Sequence, residues 1–194
     1  MAGGCEGLRI PGGVGTLSLD MATLVLGDPP ELQALRERRS RAGADRHDEV
    51  WEGVLHMTPE PSGAHLYVQQ QLAEVLGPLA RAAGLVPGIG GFNLGSETDY
   101  RAPDGGLFRG REFGVWHRTA ALVLEIVSPR DETWSKLAFY AAHQVDELLI
   151  VDPLDRTVDW LALEDGKYGR IERSRLIEFA PAELAARLDW PTVG

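Results

Sequence analysis

Apolar positions along the chain recur at helical spacing in some stretches and run continuously in others. Between residues 62 and 84, Leu66, Val68, Leu72, Val75, Leu76 and Leu79 return at three- and four-residue intervals. That spacing predicts an amphipathic helix, kinked at Pro78 and ended by Gly84. A shorter helix is predicted from residue 29, with Asp28 as N-cap, prolines in its first turn, Leu32 and Leu35 on one face, and Gly43 at its end. Trp134, Leu137, Ala138 and Ala141 mark one face of a third helix, and "APAELAARLDWP" reads as a closing one.

The continuous apolar runs "ALVLEIVS" and "DELLIVDP" have the composition of buried strands. Two hairpins are expected, one turning at Glu52-Gly53 and one at Asp165-Gly166. Residues 85–110 are loop-rich, with short strands around Phe92 and from Asp104 to Phe108. The element order predicts an α/β fold, a mixed central sheet flanked by helices with β-hairpins attached. The helical crossover between the two apolar runs predicts that they pair in parallel. No internal repeat is evident.

Residues 1–28 are glycine-rich and weakly patterned, and are expected to form a flexible arm; Met21 could equally begin a chain. Residues 29–194 are expected to form a single domain. No stretch approaches the roughly 18 apolar residues of a membrane-spanning helix, and the N-terminus lacks the pattern of a secretory signal. One cysteine, Cys5, among 194 residues excludes an internal disulfide and a cysteine-built zinc site, and fits a reducing cytoplasm. The formal charge of −10 argues against a broad basic face for gripping nucleic acid, so any such contact must be local. The most basic stretch is "RERRSR", whose bland interpretation is a solvated helix face.

Glu125 stands in the middle of the most apolar strand, where a carboxylate needs a partner or a bound cation. Asp104 in "YRAPDGGLF" is the obvious second carboxylate. It opens a short strand 21 residues earlier, with glycines beyond it that leave room for a ligand. Two carboxylates with waters and a phosphate suit Mg²⁺ or Mn²⁺. Lys136, in the helix after Glu125, could reach back over the sheet to serve a water or a developing negative charge. The bland alternatives are a turn aspartate at 104, a Glu125 paired with Arg101 or Arg118, and a solvated Lys136.

The ordered set "DEVWEGVLHM", "PSGAH", "RAPDGGLF" and "LVLEIVSPRDETWSKLAFYAAHQVDELLIVDP" resembles the PD-(D/E)XK signature of the restriction-endonuclease-like superfamily. It is similar above all to the Uma-type family of bacterial proteins assigned as endonucleases, over roughly residues 45 to 163. The resemblance implies a restriction-endonuclease-like fold and Mg²⁺- or Mn²⁺-dependent hydrolysis of phosphodiester bonds, with DNA as substrate. Carried over by position, Asp104, Glu125 and the backbone carbonyl of Ile126 are the metal ligands. Lys136 takes the place of the signature lysine, which in the wider superfamily would stand at Val127. Glu49 and His65 match accessory positions, with Glu52 competing with Glu49 because hairpin register is open.

Two function classes therefore stand: a metal-dependent endonuclease, and a catalytically inactive module that keeps the nuclease fold for binding or assembly. The acidic surface and the valine at 127 favour the second. A nuclease needs Asp104, Glu125 and Lys136 in one open cleft, with Arg36, Arg38, Arg39 and Arg41 facing it if they contact phosphates. A homodimer would concentrate scattered basic residues into one groove.

Overall fold

Turn chemistry and burial periodicity set the element boundaries in the computed structural model, which describes residues 16–18, 23–25, 30–111, 114–129 and 132–192. Most of the expected arm, with Asp28 and Met21, lies outside the described residues. Within it, β1 (Thr16–Ser18) pairs antiparallel with β2 (Thr23–Val25). Helix α1 (Pro30–Ala42) begins with a proline whose fixed φ suits a first turn. Strands β3 (Glu49–Trp51) and β4 (Val54–Met57) form the expected hairpin. Glu52 and Gly53 turn it at φ 49° and 85°, the left-handed pair of a two-residue loop. Helix α2 (Gly63–Ala82) is capped by Ser62, whose Oγ accepts the His65 N–H at 3.2 Å, and runs through Pro78.

The loop-rich middle holds more strand than its pattern suggests: β5 (Val86–Ile89), β6 (Asn93–Ser96), β7 (Asp99–Arg101), β8 (Gly105–Phe108) and β9 (Trp116–His117). Strand β10 (Leu122–Ile126) leads through a 3-10 turn (Thr133–Lys136) and α3 (Leu137–Ala142) to β11 (Glu147–Asp152). Strands β12 (Thr157–Glu164) and β13 (Lys167–Arg170) form the second hairpin, turned by Asp165 and Gly166, and α4 (Pro181–Ala185) closes the chain.

These elements form the expected mixed α/β fold, with the strands in two mixed sheets. The first runs β1-β2-β4-β3-β7-β6-β9 and the second β13-β12-β11-β10-β8-β5. The second contains the predicted parallel pair, with Leu122 opposite Glu147 and Ile126 opposite Val151. Alternation along β10 divides its side chains between two cores. Leu122, Leu124 and Ile126 pack with Val68, Leu72 and Leu76 of α2 and Leu184 of α4. Val123 packs with Leu148, Ile150, Phe139 and Tyr140 on the other side. Each fully buried leucine or isoleucine contributes about 1.5–3 kcal/mol, so these two faces dominate the stability of the sheet. Glu125 shares the parity of Val123 and so points toward α3.

Helix α3 departs from its predicted face. Trp134 is 48% exposed, whereas Phe139 and Tyr140 are buried. The 3-10 turn over Thr133–Lys136 advances each residue by more than an α-turn would, so the phase read as one continuous helix is lost. Gly95, at φ 125°, must be glycine where β6 turns against β7, because a Cβ there would collide with the Asp99 carbonyl as well as lie 3.0 Å from the Phe139 ring of this helix. Among the described residues no helix is long and apolar enough to cross a membrane.

Candidate active site

A cleft of about 370 Å³ opens where the β3–β4 hairpin meets the ends of β8 and β10 and the start of α2. Its lining includes Glu49, His65, Asp104, Glu125, Ile126 and Lys136, so the candidate metal ligands, the lysine and both matched accessory residues border one space, and Glu52 does not. Glu52 sits exposed in the hairpin turn, its N–H donated to Asp99 Oδ1 at 3.1 Å. The register of β3 against β4, with Glu49 opposite His56, is what sends Glu49 inward.

Each acid is held by more than one donor. Asp104 precedes β8, and its Oδ1 lies 2.8 Å from His65 Nε2 while Oδ2 accepts the Ile126 backbone N–H at 2.7 Å. The Ile126 amide thus ties the end of β10 to Asp104. Gln69 Nε2 donates to the Asp104 carbonyl at 2.8 Å and further fixes that segment. His65 Nδ1 lies 3.2 Å from Ser128 Oγ, so the ring bridges the loop after β10 to Asp104. Glu49 Oε1 accepts the Ala102 N–H at 2.9 Å, and its Oε2 accepts the Trp51 indole N–H at 2.6 Å.

Lys136 ties the acids together. Its ammonium donates to Glu49 Oε1 at 2.9 Å and to Glu125 Oε1 and Oε2 at 3.3 and 3.4 Å. Only 13% of the lysine side chain is exposed, against 6% and 5% for the two acids. Burial works against its charge, but Glu125 and Glu49 more than offset that and raise its pKa above the usual lysine range. Burial pushes the Glu125 carboxyl up to about 7. Lys136 opposes that shift, Asp104 and Glu49 add to it, and a hydrogen bond from Tyr140 opposes it again. Glu125 is therefore partnered by a lysine and a tyrosine, not by Arg101 or Arg118.

Sequence reasoning missed Tyr140, His56, Glu132 and Trp51. Tyr140 stands four residues after Lys136, the spacing that puts both on one helical side, and that signal was present in the chain. His56 lines the cleft with Nδ1 3.3 Å from Glu132 Oε2, a partnership between distant segments that no local pattern reveals. The basic run of α1 is not part of the cleft lining. Arg39 is bound through Nε to Asp48 Oδ2 at 3.0 Å, and Arg36 lines a separate cavity with Tyr100 and Trp116.

Among the described residues, no three His, Cys, Asp or Glu side chains form a ready-made metal cage. The donors that are present nonetheless fit a hard divalent cation. Asp104 and Glu125 supply carboxylate oxygens at one open cleft, and Mg²⁺-type ions are commonly held by one or two carboxylates with waters and substrate phosphate completing the shell.

A family model described as "Uma2: Putative restriction endonuclease" matches residues 29–190. Among solved structures, a protein from Anabaena variabilis described as a "putative nuclease belonging to DUF820" is similar in fold. It superposes with a TM-score of 0.61 at 14% identity, over 74% of this chain and 92% of that one. No curated protein matches the sequence.

Proposed function

The chain belongs to the Uma2 family, and from that membership and the cluster of Glu49, Asp104, Glu125 and Lys136 we propose a metal-dependent nuclease that hydrolyses phosphodiester bonds in DNA. The single observation that carries this reading is the Lys136 ammonium held between two buried carboxylates at the wall of an open cleft. A lysine whose only task was solubility would point into solvent, where its charge costs nothing.

Asp104 and Glu125 would hold Mg²⁺ or Mn²⁺, with the Ile126 backbone beside them. Bound there, the ion would polarise the scissile phosphate and make a neighbouring water more acidic. The protein's own groups perform the rest. Lys136 is placed to donate to the attacking water or to the oxygens that gain charge as the phosphorus becomes five-coordinate. Glu49 fixes the ammonium through a 2.9 Å bond. His65 orients Asp104, since the ring is itself aimed by Ser128 and by the first turn of α2. Water adds to phosphorus and gives up a proton to solvent, the bond to the leaving sugar oxygen breaks, and that oxygen takes up a proton.

Calorimetric titration with Mn²⁺, wild type against Glu125→Ala, tests this alongside a plasmid-cleavage assay on the same preparations. Metal binding and metal-dependent cleavage that are both lost in the variant support the nuclease. A wild type that binds no Mn²⁺ and leaves plasmid intact would sink it in favour of a nuclease-fold binding or assembly module. The absence of the α1 arginines from the cleft lining is what keeps that second reading open.

A further inference from the structure

Arg101, the last residue of β7, is 6% exposed and carries a guanidinium that stays charged at any ordinary pH. Its Nη1 donates to the Val50 carbonyl at 3.0 Å, to the Tyr100 carbonyl at 3.1 Å and to Asp99 Oδ1 at 3.0 Å. Its Nε, also buried, has no hydrogen-bond partner. A buried cation with an unmet N–H works against stability, so the residue must contribute something besides hydrogen bonds.

Its plane shows what that is. The guanidinium carbon lies 4.3 Å from the centre of the Trp51 ring and 4.0 Å from that of Phe139. Trp51 stacks in turn on His56, at 4.3 Å and 17° between planes. Phe139 packs on His143 at 4.0 Å. One column of flat groups thus runs from the β3–β4 hairpin of the first sheet to α3, which covers the second.

Each end of the column carries part of the cleft. On the hairpin side, the Trp51 indole donates to Glu49 Oε2 at 2.6 Å, and Ala102, next to Arg101, donates to Glu49 Oε1. On the helix side, Tyr140 follows Phe139 and bonds Glu125, while Lys136 reaches both acids from one turn earlier. Arg101 itself does not line the cleft. We infer that Arg101 is the positioning residue of this site: stacked on Trp51 and Phe139, it sets the distance between Glu49 on one wall and Lys136 with Glu125 on the other. Its consequence for catalysis rests on the nuclease reading; its consequence for geometry does not.

Trp51, Trp160 and Trp190 provide the test, because their indole N–H groups bond to Glu49, Glu147 and the Ala185 carbonyl, in three separate places. In proton–nitrogen spectra of the labelled full chain, the Trp51 indole signal is assigned by its disappearance in Trp51→Phe. Arg101→Met and Arg101→Lys should both move that signal and speed its exchange with water, leaving those of Trp160 and Trp190 in place. Lysine keeps the charge and can still pair with Asp99, but it offers no plane to stack, so it should not rescue. In cleavage assays both variants should lose kcat by roughly ten- to a hundredfold at nearly constant KM, the scale expected when reacting groups shift by about an ångström. An unmoved Trp51 signal in both variants overturns the proposal, and so does Arg101→Lys behaving as wild type. All three signals shifting together would make Arg101 a general stabiliser and equally overturn it. If the wild type cleaves nothing, the nuclease reading falls, and the indole signals still decide the placement.

Discussion

Replacing Lys136 with methionine keeps the length and apolar stem of the side chain while removing the ammonium shared by Glu49 and Glu125. Two buried carboxylates are then left with neutral donors only: the Ala102 N–H and Trp51 indole on Glu49, and the Tyr140 hydroxyl on Glu125. Removing one partner from a buried ion pair costs about 3–5 kcal/mol, because the remaining charge stays desolvated. Methionine returns part of this by packing, so the lower end of the range is the firmer expectation. For a chain of this size each kcal/mol lowers Tm by about 2–4 °C, which predicts a drop of roughly 6–20 °C. Thermal unfolding followed by circular dichroism, in metal-free buffer at neutral pH, measures it. Because the groups are buried, the drop should persist in about 0.5 M salt, where an exposed pair would be screened. Added Mn²⁺ should then raise Tm more in the variant than in the wild type, since a cation can take over between the acids. A Tm within about 2 °C of wild type, or a loss that vanishes in salt, would show that Lys136 is solvated and that the buried triad is wrong.

Two further outcomes are expected. Glu147, 2% exposed at the start of β11, accepts from the Trp160 indole at 2.8 Å, the Ser174 hydroxyl at 2.7 Å and the Arg175 N–H at 2.7 Å. Glu147→Ala should cost at least about 3 kcal/mol in urea unfolding, since three donors lose their acceptor, while Mn²⁺ affinity of the folded protein stays unchanged. Glu49→Gln should lower cleavage at least about tenfold, whereas Glu52→Gln should leave it at wild-type level; equal effects on turnover would refute the assignment of Glu49 to the cleft.

Local signals made much of this architecture legible. Both two-residue turns stand where Glu52-Gly53 and Asp165-Gly166 require positive φ, and Ser62 caps the helix that its apolar spacing predicts. The parallel pairing of β10 with β11 followed from a crossover too short for anything but a helix between two apolar strands. The first sheet was legible only at its β3–β4 hairpin, because β6, β7 and β9 are two to four residues long and carry Gly, Asn and Asp, which local propensity assigns to loops. Their strand state comes from tertiary pairing. At the cleft, Asp104, Glu125 and Lys136 could be named because their types and order recur together. Which hairpin acid turns inward could not, since it depends on a one-residue register that only the β3–β4–β7 pairing sets. His56 and Glu132 gave no signal, because they partner each other across 76 residues, and the stacking of Arg101 gave none, because Trp51 and Phe139 lie far from it in the chain.

The cleft's charges also bear on the metal. Glu49, Asp104 and Glu125 gather at the single ammonium of Lys136, so acid outnumbers base there unless a divalent cation is present. In its absence that excess must be carried at a buried site, and the upward push on Glu125, part of it from Asp104 and Glu49, is the form the excess takes. A phosphodiester brings a further negative charge into the same space. Lys136 is already engaged by two acids, so it cannot offset both that charge and theirs. The neutral donors present, the Ile126 and Ala102 amides and the Trp51 and Tyr140 side chains, are all directed at the acids and leave the imbalance in place. A divalent cation between Asp104 and Glu125 would remove it and give the incoming phosphate an opposite charge to meet. The same residues that make the metal-free cleft electrostatically costly are therefore the ones that would make it selective for a cation and a phosphate bound together.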